Sequence, residues 1–67
     1  MQANLLRGKI IAAGYTQKTL AKELNMSANS LSSKINGRSA FTCDEVIAIC
    51  DLLTIDDAKE KANIFLN

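Results

Sequence analysis

The sequence contains no histidine and no proline, and only two of its 67 residues are cysteine. Two thiols without histidine make a poor ligand set for zinc. The chain also lacks a glycine-rich phosphate loop and a pair of carboxylates on a shared inner helix face, so acid–base chemistry has no candidate residues. We therefore expect no metal, no cofactor, no small-molecule substrate and no enzymatic activity.

The two cysteines, Cys43 and Cys50, are not expected to form a disulfide with each other. If both lie on one helix, their separation is about 10 Å at roughly 1.5 Å per residue. A disulfide requires Cα atoms within about 7 Å of each other. We expect two buried or half-buried thiols in a reducing compartment.

Long apolar runs are also missing, because no segment approaches the roughly 18 apolar residues that a membrane-spanning helix needs. The first four residues, Met1 to Asn4, lack the basic and apolar regions of a signal peptide. These absences predict a cytoplasmic protein that does not associate with membranes.

Acidic side chains are scarce in the first two thirds of the chain. Residues 1–42 carry six basic side chains and one acid, whereas residues 43–67 carry two basic and six acidic side chains. The net charges of the two parts are therefore +5 and −4, which give the whole chain its net charge of +1. A basic part favours a polyanionic partner on that side. On charge alone, two solvated faces that differ by chance are an equal alternative.

Apolar residues recur at helical spacing, and strand-type alternation is absent, which predicts an all-α chain. Start and stop signals divide it into five short helices within a single domain that spans residues 1–67. The first helix is predicted from about Asn4 to Ala13 and ends at a left-handed Gly14. Its residues expected to face the core are Leu6, Ile10 and Ala13.

The second and third helices are predicted from their capping residues and the turn between them. Thr16 caps the second helix, and Ser27 caps the third, which Gly37 ends. Asn25 supplies a residue that tolerates left-handed geometry for the turn. The residues expected to face inward on these two helices are Leu20, Ala21, Leu24, Leu31 and Ile35.

The fourth and fifth helices follow a sharper start signal. Thr42 and Glu45 form a T-x-x-E capping box at the start of the fourth helix. Thr54 or Asp56 is expected to cap the fifth. The residues expected to face inward on these two helices are Val46, Ile49, Cys50, Leu53, Ala58, Ala62 and Phe65.

The segment from Gln17 to Gly37 carries the functional signal. Two short helices that cross steeply need a small residue at their contact, here Ala21, and an apolar plug in the turn, here Met26. The segment resembles the Cro and lambda-repressor-like helix-turn-helix family (XRE type), whose pattern is Q-x-x-L-A, an apolar-Ser turn and a second helix ending in Asn-Gly. The stretch from Leu31 to Thr42 is similar to a subgroup of short phage-encoded members.

The resemblance extends over nearly the whole chain and has two departures. Relatives usually have glycine where this chain has Asn25, and many carry a buried Arg and Glu pair at the positions of Ile10 and Ile35. Replacement of both members of such an ion pair by apolar residues can leave the stability of a protein unchanged or increase it. The resemblance therefore implies a compact five-helix lambda-repressor-like fold, with a helix-turn-helix at helices 2 and 3, in the cytoplasm of a bacterial host cell.

The resemblance implies a sequence-specific, DNA-binding transcriptional regulator whose recognition helix, about residues 27–36, enters the major groove of double-stranded DNA. Helical phase places a short uncharged surface outward, opposite Leu31 and Ile35. Asn29 is the best candidate for sequence readout because its amide can bind adenine N6 and N7 together. The candidate base contacts are Ala28, Asn29, Ser32 and Ser33.

Contacts to the DNA backbone would fix the register of the protein on the duplex. Ser27 has an alternative role as a helix cap, and Asn36 as a helix terminus. Lys34 could assist, although a surface lysine is more often solvated than bound. The candidate backbone contacts are Gln17, Lys18, Ser27, Ser30, Asn36 and Arg38.

Functional affinity in this family normally requires a dimer on two half-sites, so a homodimer or a repressor partner is expected. The candidate dimer contacts are Ile47, Ile64 and Leu66, apolar positions left after the inner faces are assigned. They could equally cover the core from outside. An antirepressor or modulator of the same fold, which acts by binding a repressor, is the alternative function.

Overall fold

The computed structural model describes residues 1–66 and contains five α-helices in that range. No strand occurs among these residues, so the predicted all-helical fold is confirmed. None of the five helices is long and apolar enough to cross a membrane. The helices are α1 (Ala3–Ala12), α2 (Gln17–Glu23), α3 (Ala28–Ile35), α4 (Cys43–Leu52) and α5 (Ala58–Phe65).

Side-chain caps start every helix after α1. Ser27 and Thr42 accept backbone hydrogen bonds at α3 and α4, as predicted, and Thr42 shares a full capping box with Glu45. Thr16 forms a second box with Thr19, whose Oγ1 accepts from the Thr16 amide at 2.8 Å. The prediction for α5 was wrong because Asp57, rather than Thr54 or Asp56, is its N-cap.

Asp57 caps α5 because its own carboxylate accepts from the Lys59 amide at 2.9 Å. The two predicted caps, Thr54 and Asp56, both precede Asp57 in the chain. Thr54 instead has a φ of 55° just after α4, a left-handed conformation that is costly for a β-branched residue. Gly14 and Asn25 have the predicted positive φ, and Gly37, predicted only to end α3, has a positive φ as well.

One hydrophobic cluster draws on all five helices. Ile10 and Ile35 are 2% and 1% exposed. No polar or charged residue among positions 1–66 is buried, so the core is apolar throughout. The buried residues are Leu6, Ile10, Leu20, Ala21, Leu31, Ile35, Ile49, Cys50, Leu53, Ile55 and Ile64.

The packing of α5 and the end of α1 differs from the prediction. Ile64 is 1% exposed and belongs to the core, whereas Ala58 and Ala13 are exposed. Isoleucine buries far more apolar area than alanine, so Ile64 rather than the alanines takes the core position. The backbone supports this placement, because the Gln2 amide donates to the Ile64 carbonyl at 2.7 Å. Ile64 is therefore not available as a dimer contact.

Candidate nucleic-acid interface

α2 and α3 pack against each other and are joined by a four-residue turn, residues 24–27. The turn folds back sharply, because Asn25 has a φ of 57° and the Met26 amide donates to the Ala21 carbonyl at 3.0 Å. Ala21 is 1% exposed, so this small side chain of α2 is buried in the core. This local geometry fixes the direction of α3 relative to α2.

α3 has a buried face and an exposed face. Leu31 and Ile35 lie in the core, whereas Ala28 and Asn29 at the start of the helix are exposed. Ser32 and Ser33, the other two candidate base contacts, are only half-buried, as is Ser30. Ala28 and Asn29 are therefore the two exposed residues of α3.

The candidate backbone contacts at the starts of α2 and α3 lie in different environments. Lys18 is exposed on the first turn of α2, and Gln17 beside it is half-buried. Ser27 is exposed and caps α3, because its Oγ accepts from the Ser30 amide at 3.0 Å. Capping uses an acceptor position of this hydroxyl and leaves its O–H group able to donate.

Asn36, a further candidate backbone contact, is engaged within the protein at the end of α3. Its Oδ1 accepts a hydrogen bond from the Arg7 guanidinium, and its Nδ2 donates to Ser32 Oγ at 3.4 Å. Arg7 also donates to Asn4 Oδ1 at 3.1 Å. Sequence reasoning missed Arg7, because 29 residues separate it from Asn36 and no local pattern predicts the contact.

Two of the six basic side chains in residues 1–42 are neutralised by acids from the last two helices. Lys34 Nζ lies 2.6 Å from both carboxylate oxygens of Glu45, in a pair that is mostly covered. These hydrogen bonds, together with the one from the Thr42 amide, hold the pKa of Glu45 below its ordinary value. Lys9 pairs with Glu60 at 2.6 Å in a more open position. Lys34 therefore joins α3 to α4 instead of extending toward a ligand.

The remaining four basic side chains form no ion pair with any residue in the described range 1–66. Lys18 and Lys22 are on α2, Arg7 is on α1, and the exposed Arg38 follows α3. Glu23 is the one acid in residues 1–42. The unbalanced positive charge of the protein therefore lies on the first three helices and the loop that follows them.

The model of a protein family with no assigned function matches nearly the whole chain. The family is described as "Protein of unknown function (DUF739)", and it matches residues 2–67. The chain belongs to the DUF739 family. No curated protein and no solved structure matches it.

An apolar groove of this DUF739 protein adjoins the C-terminal end of α3, where Lys34 and Arg38 line it. Its other lining side chains include Phe41, Cys43, Val46, Ile47, Phe65 and Leu66. The rings of Phe41 and Phe65 meet edge to face with centroids 6.2 Å apart. Ile47 and Leu66, two of the candidate dimer contacts, are 60% and 82% exposed. Ile47 and Leu66 therefore remain candidate dimer contacts, whereas the buried Ile64 does not.

The two cysteines of the DUF739 protein differ in environment. Cys43 is exposed in the first turn of α4 and lines the apolar groove, so the expectation of partial burial was wrong for this thiol. The reason is its place at the helix start, outside the inner face of α4. Cys50 is buried in the core, and this burial raises the pKa of its thiol.

Proposed function

We propose that this DUF739 protein is a sequence-specific, DNA-binding transcriptional regulator whose α2 and α3 act as a helix-turn-helix. One observation carries the proposal: α3 buries Leu31 and Ile35 and exposes Ala28 and Asn29, directly after a sharp turn that packs it on α2. An exposed helix start beside a supporting helix is the arrangement that enters the major groove in this class of protein.

Asn29 is the residue we assign to sequence readout. Its side chain is exposed in the first turn of α3, where its amide can donate to and accept from an adenine edge together. Ala28 suits an apolar contact with a thymine methyl group. Ser32 and Ser33 can donate to or accept from any base, so they add little discrimination. No charged side chain lies among these four residues, which predicts moderate intrinsic specificity.

The phosphate backbone is assigned to residues around this surface. Lys18 and Arg38 are exposed and unpaired, and Gln17 lies beside Lys18 at the start of α2. Ser27 and Ser30 flank the start of α3. Such contacts set the register and the salt dependence of binding, because each neutralised phosphate releases counterions. Lys9 and Lys34 are excluded from this role by their ion pairs.

A homodimer completes the proposal, because one domain of this size covers about half of a typical operator. Exposed Ile47 and Leu66 in the apolar groove supply an apolar surface for it. The same groove favours a second candidate function, an antirepressor that binds a repressor protein. An exposed apolar patch marks a protein interaction site in either case.

Selection from a random pool of double-stranded DNA with the purified protein, at about 0.15 M ionic strength, tests the proposal. We expect an enriched inverted repeat with half-sites about 34 Å apart. The Asp51→Ala variant, altered at an exposed position of α4, should recover the same motif and serves as the control. A folded protein that enriches no sequence would contradict DNA recognition and favour the antirepressor.

A further inference from the structure

Arg7 is held by neutral partners only. Its guanidinium donates one hydrogen bond to Asn4 Oδ1 at 3.1 Å and another to Asn36 Oδ1. A guanidinium has five N–H donors, so these two bonds leave three donors unused. No acid within residues 1–66 pairs with Arg7, and its side chain is half-buried rather than enclosed. Its full positive charge therefore stays available to an external anion.

Lys9, two residues further along α1, differs from Arg7 because it pairs with an acid. Lys9 Nζ lies 2.6 Å from a carboxylate oxygen of Glu60, so its charge is balanced inside the fold. Arg7 instead reaches from α1 to the end of α3, where Asn36 is followed two residues later by the exposed Arg38. The guanidinium groups of Arg7 and Arg38, neither of which pairs with an acid within residues 1–66, are therefore both associated with the C-terminal end of α3.

We propose that Arg7 binds a DNA phosphate beside the C-terminal end of α3, with Asn4 and Asn36 orienting its guanidinium. The inference rests on the proposed function and adds a contact from α1 that no sequence pattern indicates. Arginine suits this role because its planar fork can bond neutral amides and a phosphate oxygen at the same time. Asn36 thereby supports a phosphate contact and does not need to make one itself.

The salt dependence of binding tests this contact with the duplex recovered by selection. Arg7→Gln should make the slope of log K against log salt concentration less steep by about 0.9, the change expected for one lost phosphate contact. Its deficit in affinity should then be about 3.5-fold larger at about 0.05 M than at about 0.2 M salt. Lys9→Gln on the same helix is the matched control and should keep the slope of the wild type. Arg38→Gln serves as the reference for an exposed arginine.

Arg7→Lys separates charge from orientation. An ammonium group keeps the charge but cannot bond Asn4, Asn36 and a phosphate with the same fixed geometry. We expect this variant to retain the wild-type slope with a lower affinity at every salt concentration. It also keeps the test informative if Arg7→Gln fails to fold, which circular dichroism would detect.

The outcomes separate the two proposals. A wild-type slope for Arg7→Gln, with affinity unchanged or reduced equally at all salt concentrations, would overturn the phosphate contact. An affinity of Arg7→Lys equal to that of the wild type would overturn the orienting role of Asn4 and Asn36. In both cases the wild-type protein still binds DNA, so the proposed function stands. A wild-type protein that binds no duplex would overturn both proposals together.

Discussion

The first 42 residues and the following 24 described residues use their charged side chains in different ways. In the first part, Lys18 and Arg38 are exposed and unpaired. In the second part, Glu45 and Asp57 cap helices, and Glu45 and Glu60 neutralise cations of the first part. Three acids of the second part therefore serve the fold, and the cations of the first part that they leave unpaired are free to meet a polyanion. Net charge alone would not have separated these two roles.

The largest expected effect concerns the core that the second part supplies. Ile64→Ala should lower the free energy of unfolding by about 2–5 kcal/mol, because it opens a cavity at a side chain that is 1% exposed. Leu66→Ala, at 82% exposure on the same segment, should stay within about 0.5 kcal/mol of the wild type. Urea unfolding followed by circular dichroism measures both. Equal costs would contradict the assignment of Ile64 to the core and Leu66 to the surface.

The next effect concerns sequence information in the first part. Asn29→Ala should reduce the preference at one base pair per half-site by about 1–3 kcal/mol, because it removes the amide that would bond adenine. Competition binding with duplexes altered at single positions measures this preference. Asp51→Ala in the acidic part should leave every preference unchanged. If Asn29→Ala also leaves them all unchanged, α3 does not use this residue for readout.

A smaller effect distinguishes the two ion pairs that join the parts. Glu45→Ala should destabilise the protein by about 1–2 kcal/mol, because it removes a capping group and leaves a mostly covered Lys34 unpaired. Glu60→Ala should cost less than about 1 kcal/mol, since its pair with Lys9 is more open. Thermal unfolding of the two variants compares them directly. A larger cost for Glu60→Ala would reverse the comparison.

The contribution of Glu45 should also depend on pH. Its pKa is lowered in the folded protein, so the stabilisation is fully present above the ordinary pKa of a glutamate. It is lost as the pH falls through the lowered pKa of the folded state. The difference in stability between the wild type and Glu45→Ala should therefore be large at neutral pH and shrink in acid. A difference that grows in acid would contradict this linkage.

The smallest effect concerns two left-handed turns, one in each part. Thr54→Gly should stabilise the protein by less than about 1 kcal/mol, because relief of the strain at a φ of 55° exceeds the added chain entropy. Asn25→Gly should change stability less, since asparagine tolerates a φ of 57° better than a β-branched residue does. Chemical denaturation would measure both changes. A loss of stability in Thr54→Gly would show that the threonine is not strained.

Local rules explain which parts of the fold were predictable. The caps Ser27 and Thr42 and the left-handed Asn25 and Gly37 depend on backbone geometry within a few residues, and the structure has each of them. Asp57 was missed because several neighbouring residues carry equally good capping groups. In the structure the Asp57 carboxylate makes the capping bond, because it accepts from the Lys59 amide.

Long-range packing explains what the sequence could not predict about the candidate site. The pairing of Lys34 with Glu45 and the contact of Arg7 with Asn36 join residues 11 and 29 positions apart. Both depend on how α1, α3 and α4 sit in the folded protein. Ile64 was misplaced for the same reason, since helical phase alone does not say which side of a short helix meets its neighbours.

The contrast between the two thiols has a practical consequence for measurement. Cys43 is exposed and should react with an alkylating reagent in the native protein, whereas Cys50 is buried and should react only when the core opens. When reclosing is fast, the labelling rate of Cys50 gives the population of the open form. The chain thus carries its own reporter of conformational opening and, on the same helix, an internal standard for reagent reactivity.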